Sequence, residues 1–294
     1  MLCSLCPHRC RAVRTETEGA GRCRLPNTAM VARAALHFGE EPCISGERGS
    51  GTVFFGGCTL ACAFCQNRAI SRTAAGAPVS PARLAEIFRE LVQAGAHNIN
   101  LVSPTPYVPA VREALRQYRP PVPVVYNSSG WERVETLRAL EGLVDVYLPD
   151  YKYASAALGQ ALSGAEDYPA VAAAAIREMA RQTGPVVLDE HGLIQRGTVV
   201  RHLVLPGHTN DSLRCLETLA AVLPQGCYVS LMFQYTPMDE VAGHPELSRR
   251  VTARECDKVW QRMIDLGLTD GYVQSREAAG EAMIPAFDLT GVCR

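Results

Sequence analysis

Thr52-Val53-Phe54-Phe55-Gly56-Gly57-Cys58-Thr59-Leu60-Ala61-Cys62-Ala63-Phe64-Cys65-Gln66-Asn67 carries the decisive pattern of this chain. Apolar and β-branched residues read as a short buried strand, and two glycines end it. Three cysteines follow on one loop at Cys-x3-Cys-x2-Cys spacing. Three thiolates so placed can converge on one inorganic cluster, whereas cluster binding normally takes four. No fourth cysteine follows nearby. A four-iron cluster on Cys58, Cys62 and Cys65 would keep one iron without a protein ligand, and an open metal position is where a substrate or cofactor coordinates. Gly56 and Gly57 permit the sharp turn and close backbone approach that such a loop needs. Structural zinc would require a fourth ligand from elsewhere. Packing as small apolar side chains is the plainest alternative.

Beyond this loop, apolar runs alternate with amphipathic stretches. The runs are Thr52–Phe55, Ile99–Ser103, Val122–Tyr126, Leu143–Leu148, Thr198–Leu205 and Cys227–Phe233. Each is short and rich in β-branched or aromatic residues, as buried parallel strands are. The clearest helix follows Ser80 as N-cap and Pro81 at the first position. Its apolar residues Leu84, Ile87, Phe88 and Leu91 share one face, and Gly95 stops it. Further helices are predicted near Val108–Gln117, Trp131–Leu140, Tyr168–Arg181, Asp211–Leu223 and Thr252–Leu266. Val186–Gly197 reads as a loop or hairpin before the fifth strand. Six strands alternating with six helices predict an α/β fold with a parallel sheet and right-handed crossovers. A doubly wound sheet would be favoured by a G-x-G-x-x-G fingerprint after the first strand, and Gly56-Gly57-Cys58 is not one. A barrel or open barrel instead carries its chemistry on loops at the strand C-termini.

The 294 residues balance 29 Lys and Arg against 30 Asp and Glu. A net charge of −1 lacks the basic face of a dedicated nucleic-acid binder. Eight of the 12 cysteines fall within the first 65 residues, which suggests metal chemistry over a disulfide framework. The opening MLCSLCPHRC is no secretory signal, and no run approaches the roughly 20 apolar residues of a membrane span. A cytoplasmic protein with reduced thiols is expected.

Residues 1–50 read as a Cys-rich N-terminal segment. Cys3, Cys6, Cys10 and Cys23 form a second constellation able to close a tetrahedral site, either zinc or an auxiliary iron–sulfur cluster. Such a site could supply folding energy to a segment with no core of its own. Arg9, Arg11, Arg14, Arg22 and Arg24 lie among these cysteines and read as a solvated face in preference to an RNA contact. Cys43, Cys215, Cys227, Cys256 and Cys293 show no ligand pairing and are expected to be buried.

The Cys-x3-Cys-x2-Cys loop with Phe64 before its third cysteine resembles the signature of radical S-adenosylmethionine (SAM) enzymes. Cys65-Gln66-Asn67 is similar to the pyruvate formate-lyase activating enzyme branch, and the resemblance spans nearly all of 51–294. Within that branch, His97-Asn-Ile-Asn-Leu-Val-Ser-Pro-Thr-Pro, Tyr147-Leu-Pro-Asp-Tyr-Lys-Tyr, Arg201-His-Leu-Val-Leu-Pro-Gly-His and Met232-Phe-Gln-Tyr-Thr-Pro resemble the activating-enzyme-related, PflX-like iron–sulfur proteins. The resemblance implies a partial (β/α)6 TIM-like barrel over 51–294. It implies a [4Fe-4S] cluster whose unique iron is chelated by the SAM amino and carboxylate groups. Reductive cleavage would then give methionine and a 5′-deoxyadenosyl radical that abstracts hydrogen. An electron donor such as flavodoxin or ferredoxin would supply the electron. The substrate would be a glycyl-radical protein, another peptide, RNA or a small metabolite; the rival outside enzymes is an iron–sulfur electron carrier.

The same resemblance distributes the SAM contacts over the strand ends. Phe64 would lie near the adenine. The usual Gly-Gly-Glu after the second strand is replaced here by Ser103-Pro104-Thr105-Pro106, so Ser103 and Thr105 or nearby carbonyls would receive the methionine amine. Asn127 and Ser129 would approach the ribose and methionine, Lys152 the methionine carboxylate, Asp150 the ribose or amine, and Gln234 the adenosine. His208, at the end of the fifth strand, is the candidate for the mouth of the site. His202 is readable as a core histidine.

Overall fold

The computed structural model describes residues 2–237, 241, 243–275 and 284–293. Its strands are β1 (Ala29–His37), β2 (Ser50–Phe55), β3 (Ala77–Val79), β4 (Ile99–Val102), β5 (Val124–Ser128), β6 (Val146–Pro149), β7 (Val187–Leu188), β8 (Ile194–Leu203), β9 (Tyr228–Met232) and β10 (Gly271–Gln274). They pair in the order β10-β9-β8-β6-β5-β4-β2-β1-β3, with β7 forming a hairpin on β8. From β2 to β10 every neighbouring pair is parallel, while β1 pairs antiparallel with both β2 and β3. The expected parallel strands are all present, and the sheet curls without closing: an open (β/α)6 barrel with extra strands at each edge. Every residue of β2, β4, β5 and β6 is buried, in keeping with helices and barrel interior covering both faces.

Local sequence chemistry sets the helices. Ser80 caps Pro81–Gln93 by accepting the Arg83 amide at 3.2 Å, and Leu84, Ile87, Phe88 and Leu91 pack on Val53, Phe55 and Leu101. Thr252 and Glu255 close a reciprocal capping box on Ala253–Asp265. The helix expected over Trp131–Leu140 is shortened to Val134–Arg138. Trp131 is held by Asp167 at 3.0 Å and Glu132 turns inward onto Thr105, so the chain is committed to the core before helical geometry begins. Ala156–Ser163 is a helix that apolar periodicity did not announce; Ser155 caps its start and left-handed Gly164 its end.

Three strands lay outside the sequence expectation: β1, β3 and β10. Part of the segment expected to precede the barrel, Ala29–His37, is thus a strand of the sheet. The residues before it dock on the barrel. Arg14, expected on a solvated face, is buried; its guanidinium donates to the carbonyls of Leu25 (3.0 Å), Pro106 (2.7 Å) and Pro26. Thr136 donates to the Leu5 carbonyl at 2.6 Å, and His8 meets the Thr59 carbonyl at 3.0 Å.

Among the described residues no helix is long and apolar enough to cross a membrane.

Candidate active site

Because β2, β4, β5, β6, β8 and β9 run in parallel, the residues that follow them meet at one rim. A cleft of about 260 Å³ opens there. Cys58, Cys62, Cys65, Phe64, Ser103, Asn127, Ser129, Asp150, Lys152 and Gln234, which span 177 sequence positions, all line it.

The cysteine loop leaves β2 through Gly57, whose φ of +82° and contact with Leu25 admit no side chain. Cys62 is buried and Cys58 partly so. Burial pushes Cys58 up to about 12, with Cys62 and Cys65 adding to the rise, so the three sulfurs are electrostatic neighbours. Burial likewise raises Cys62, against the pull of Lys152. Ser163 donates to the Cys62 sulfur at 3.1 Å and is itself 2.7 Å from the Tyr153 hydroxyl. Phe64 is buried against Tyr153 and Tyr235 at ring-centroid distances of 6.3 and 6.5 Å.

Opposite the loop lies a charged network. Asp150 and Arg201 are parallel bridge partners beyond β6. Arg201 donates through Nε to Asp150 (3.0 Å), through Nη1 to Glu40 (3.1 Å) and through Nη2 to Asn127 (2.6 Å). Lys152 Nζ meets the other Asp150 oxygen at 2.5 Å. Burial by itself would raise Asp150, but Lys152 and Arg201 overcome it and hold the carboxyl below its ordinary value. Burial would lower Lys152, and Asp150 with Cys62 overcomes it in the other direction. Both partners therefore stay ionised, as a buried pair with good geometry can. The β5 and β6 ends are locked together: the Tyr168 hydroxyl bonds the Ser129 and Asp150 carbonyls at 2.8 and 2.9 Å. Gly130, at φ +74°, brings its backbone so close that a Cβ would stand 2.0 Å from the Asp150 oxygen. Ser103 sits at φ +59°, a strained value for a non-glycine, and donates its amide to the Asn127 carbonyl at 2.9 Å.

Two expected residues are not brought to the cleft. Thr105 turns behind it, donating to Glu132 at 2.6 Å and accepting from Tyr126 at 3.3 Å, with both partners buried. His208 faces Glu246 at 3.2 Å. A buried hydrogen-bond network and a partly exposed pairing respectively account for them. His202 is a buried core histidine bonded to the Tyr151 carbonyl at 2.7 Å. The sequence reading missed Glu40, Glu41, Arg201 and Gln274, all of which line the cleft.

In the front segment, burial raises the Cys6 thiol to about 12, and Cys23 and Cys3 are close enough to contribute. Cys10 is exposed. Among the described residues no three His, Cys, Asp or Glu side chains already stand at metal-ligand geometry, in this segment or the cluster loop. Of the other cysteines, Cys43, Cys215, Cys227 and Cys256 are buried as expected, and Cys293 is exposed.

The sequence profile of the Radical SAM superfamily matches residues 52–220. The chain belongs to the radical SAM superfamily. An uncharacterised protein of Methanocaldococcus jannaschii is 31% identical over 265 residues, covering 87% of this chain and 72% of that protein. Streptococcus suis SuiB bound to precursor peptide SuiA superposes with a TM-score of 0.52 at 12% identity, over 74% of this chain and 46% of SuiB. A radical SAM methyltransferase from Sphaerobacter thermophilus gives 0.52 at 17% identity, over 76% of this chain and 66% of that enzyme. At such identities the likeness is one of fold. The donor set suits the superfamily's [4Fe-4S] cluster and SAM: three thiols share one cleft with a donor on Cys62, and ionised groups of both signs stand across from them.

Proposed function

We propose that this radical SAM protein binds a [4Fe-4S] cluster through Cys58, Cys62 and Cys65 and SAM across the adjoining strand ends, and abstracts hydrogen from an organic substrate in the same cleft. When bound, the cluster and SAM supply reductive cleavage to methionine and a 5′-deoxyadenosyl radical. The single observation that carries the reading is the meeting of the three-thiol loop with the Asp150–Lys152–Arg201 network in one cleft. The chain's own residues bind and orient. Lys152, kept cationic by Asp150, is the partner for the methionine carboxylate. Asp150, Asn127 and Ser129 receive the amine and ribose hydroxyls. Phe64 walls the adenine side, and Gln234, whose Oε1 lacks a hydrogen-bond partner among the described residues, offers an acceptor there. Buried Tyr153, Tyr235 and Phe64 exclude water from the cleft wall.

Within this chemistry we favour an activating-type reaction on a peptide or on a glycine of a partner protein, with flavodoxin or ferredoxin as electron donor. The Cys65-Gln66-Asn67 variant supports it. We assign a second metal, zinc or an auxiliary iron–sulfur cluster, to Cys3, Cys6, Cys10 and Cys23. The proximity of Cys6 to Cys3 and Cys23 supports that assignment. Electron paramagnetic resonance of the anaerobically reconstituted, dithionite-reduced protein tests the main reading. A four-iron signal that changes shape on adding SAM is expected. A signal indifferent to SAM would overturn it.

A further inference from the structure

The cleft holds one carboxyl for which the proposed reaction has no use. Glu41 follows Glu40 in the turn between β1 and the short helix Pro42–Ser45. It lines the cleft yet is only 1% exposed. Neither carboxyl oxygen has a hydrogen-bond partner among the described residues. It stands at the helix N-cap position without making a cap bond. The neighbouring cations are engaged elsewhere: all three guanidinium nitrogens of Arg201 bond Asp150, Glu40 and Asn127, and Lys152 bonds Asp150. Arg201 therefore acts on Glu41 only through space. The Ser230 hydroxyl lies near Glu41 without closing a hydrogen bond within 3.5 Å, and is itself unpartnered among the described residues. Asn100, which donates to Glu40 at 3.0 Å, leaves its Oδ1 unpartnered too.

This end of the cleft is thus short of positive charge. Three carboxyls (Glu40, Glu41 and Asp150) face two cations (Lys152 and Arg201), and the unmatched one is buried. A buried carboxyl without a partner is costly to the fold, and burial pushes Glu41 above the ordinary carboxylate range, against the pull of Arg201. Its oxygens can take a two-pronged bond from a guanidinium or a shorter one from an ammonium.

We propose that Glu41 selects the substrate of this cleft by accepting a cationic nitrogen, an amine or a guanidinium, that the substrate carries. The inference rests on the reading of the cleft as the place of hydrogen abstraction. A free amine and a basic side chain of a peptide share this chemistry.

Calorimetric titration of the full-length, cluster-reconstituted protein with SAM present tests it. The probes are agmatine, acetyl-Gly-Arg-Gly-amide and the uncharged acetyl-Gly-citrulline-Gly-amide. Either cationic probe is expected to bind with submillimolar affinity, and the arginine peptide at least about tenfold more tightly than the citrulline peptide. The Glu41→Gln variant should lose about tenfold for the cationic probe that binds. Exchanging the exposed Glu190 for Gln should lose nothing. Tighter binding of agmatine assigns the cation to a small free base, and tighter binding of the arginine peptide assigns it to a peptide. Equal affinity for arginine and citrulline peptides, unaltered binding by Glu41→Gln, or no binding of either cation up to about 10 mM would overturn the proposal. The citrulline comparison uses the unmutated protein and stands even if the variant fails to fold. Failure of the parent reading shows differently, as wild-type protein that does not cleave SAM whatever it binds.

Discussion

Exchanging Glu132 for Gln should stabilise the protein at alkaline pH and leave it nearly unchanged at pH 5. Glu132 is 1% exposed, accepts one bond from Thr105 at 2.6 Å, and has no partner for Oε2 among the described residues. Burial lifts its pKa from 4.5 to about 8, against the lowering effect of Thr105 and Ser128. Below pH 4.5 both folded and unfolded chains carry the proton. Between 4.5 and about 8 the unfolded chain releases it and the folded chain keeps it, so stability falls as pH rises. The loss is about 1.4 kcal/mol per pH unit, about 5 kcal/mol in all, and ends above pH 8. Glutamine has the same shape, keeps an acceptor for Thr105, and never ionises. At about 2 °C per kcal/mol for a chain of this size, the variant should melt about 10 °C above wild type at pH 8.5. Thermal unfolding of both proteins by circular dichroism, from pH 5 to 9 under reducing conditions, is the assay. A melting difference that does not change with pH, or one that shrinks as pH rises, would refute the burial argument.

Arg201→Met removes three bonds at once and leaves the largely buried Glu40 without its cation; it should cost about 3–5 kcal/mol in urea unfolding and weaken SAM binding measured by calorimetry. Gly130→Ala forces a side chain into the Asp150 carbonyl at positive φ; a loss of about 3 kcal/mol or more is expected, read as a lowered melting temperature. A Cys58/Cys62/Cys65→Ala triple variant should still retain metal by elemental analysis if Cys3, Cys6, Cys10 and Cys23 hold a second site, and metal-free protein would exclude that site.

The six barrel strands were readable because buried parallel strands leave continuous apolar runs, and the cysteine loop because its spacing is local. β1 escaped because Ala29-Met-Val-Ala-Arg-Ala-Ala-Leu-His is alanine-rich and becomes a strand only through its pairing with β2. Glu40 and Glu41 read as a polar turn before Pro42. Only the fold brings Arg201, 161 residues away, to within 3.1 Å of Glu40. A signal was present in Arg201 itself, a charged residue beside His202 at the end of the apolar run Val199-Val200, which needs a partner where the strand is covered. Thr105 shows the reverse: a hydroxyl beside two prolines near a strand end resembled a ligand contact until Glu132, 27 residues on, took it.

The most direct measurement is 5′-deoxyadenosine formed when the anaerobically reconstituted protein is given SAM and dithionite. The account predicts 5′-deoxyadenosine and methionine in equal amounts from wild type and none above background from Cys58→Ala. Equal production by the two proteins, or none by a wild type shown to hold its four irons, would contradict it.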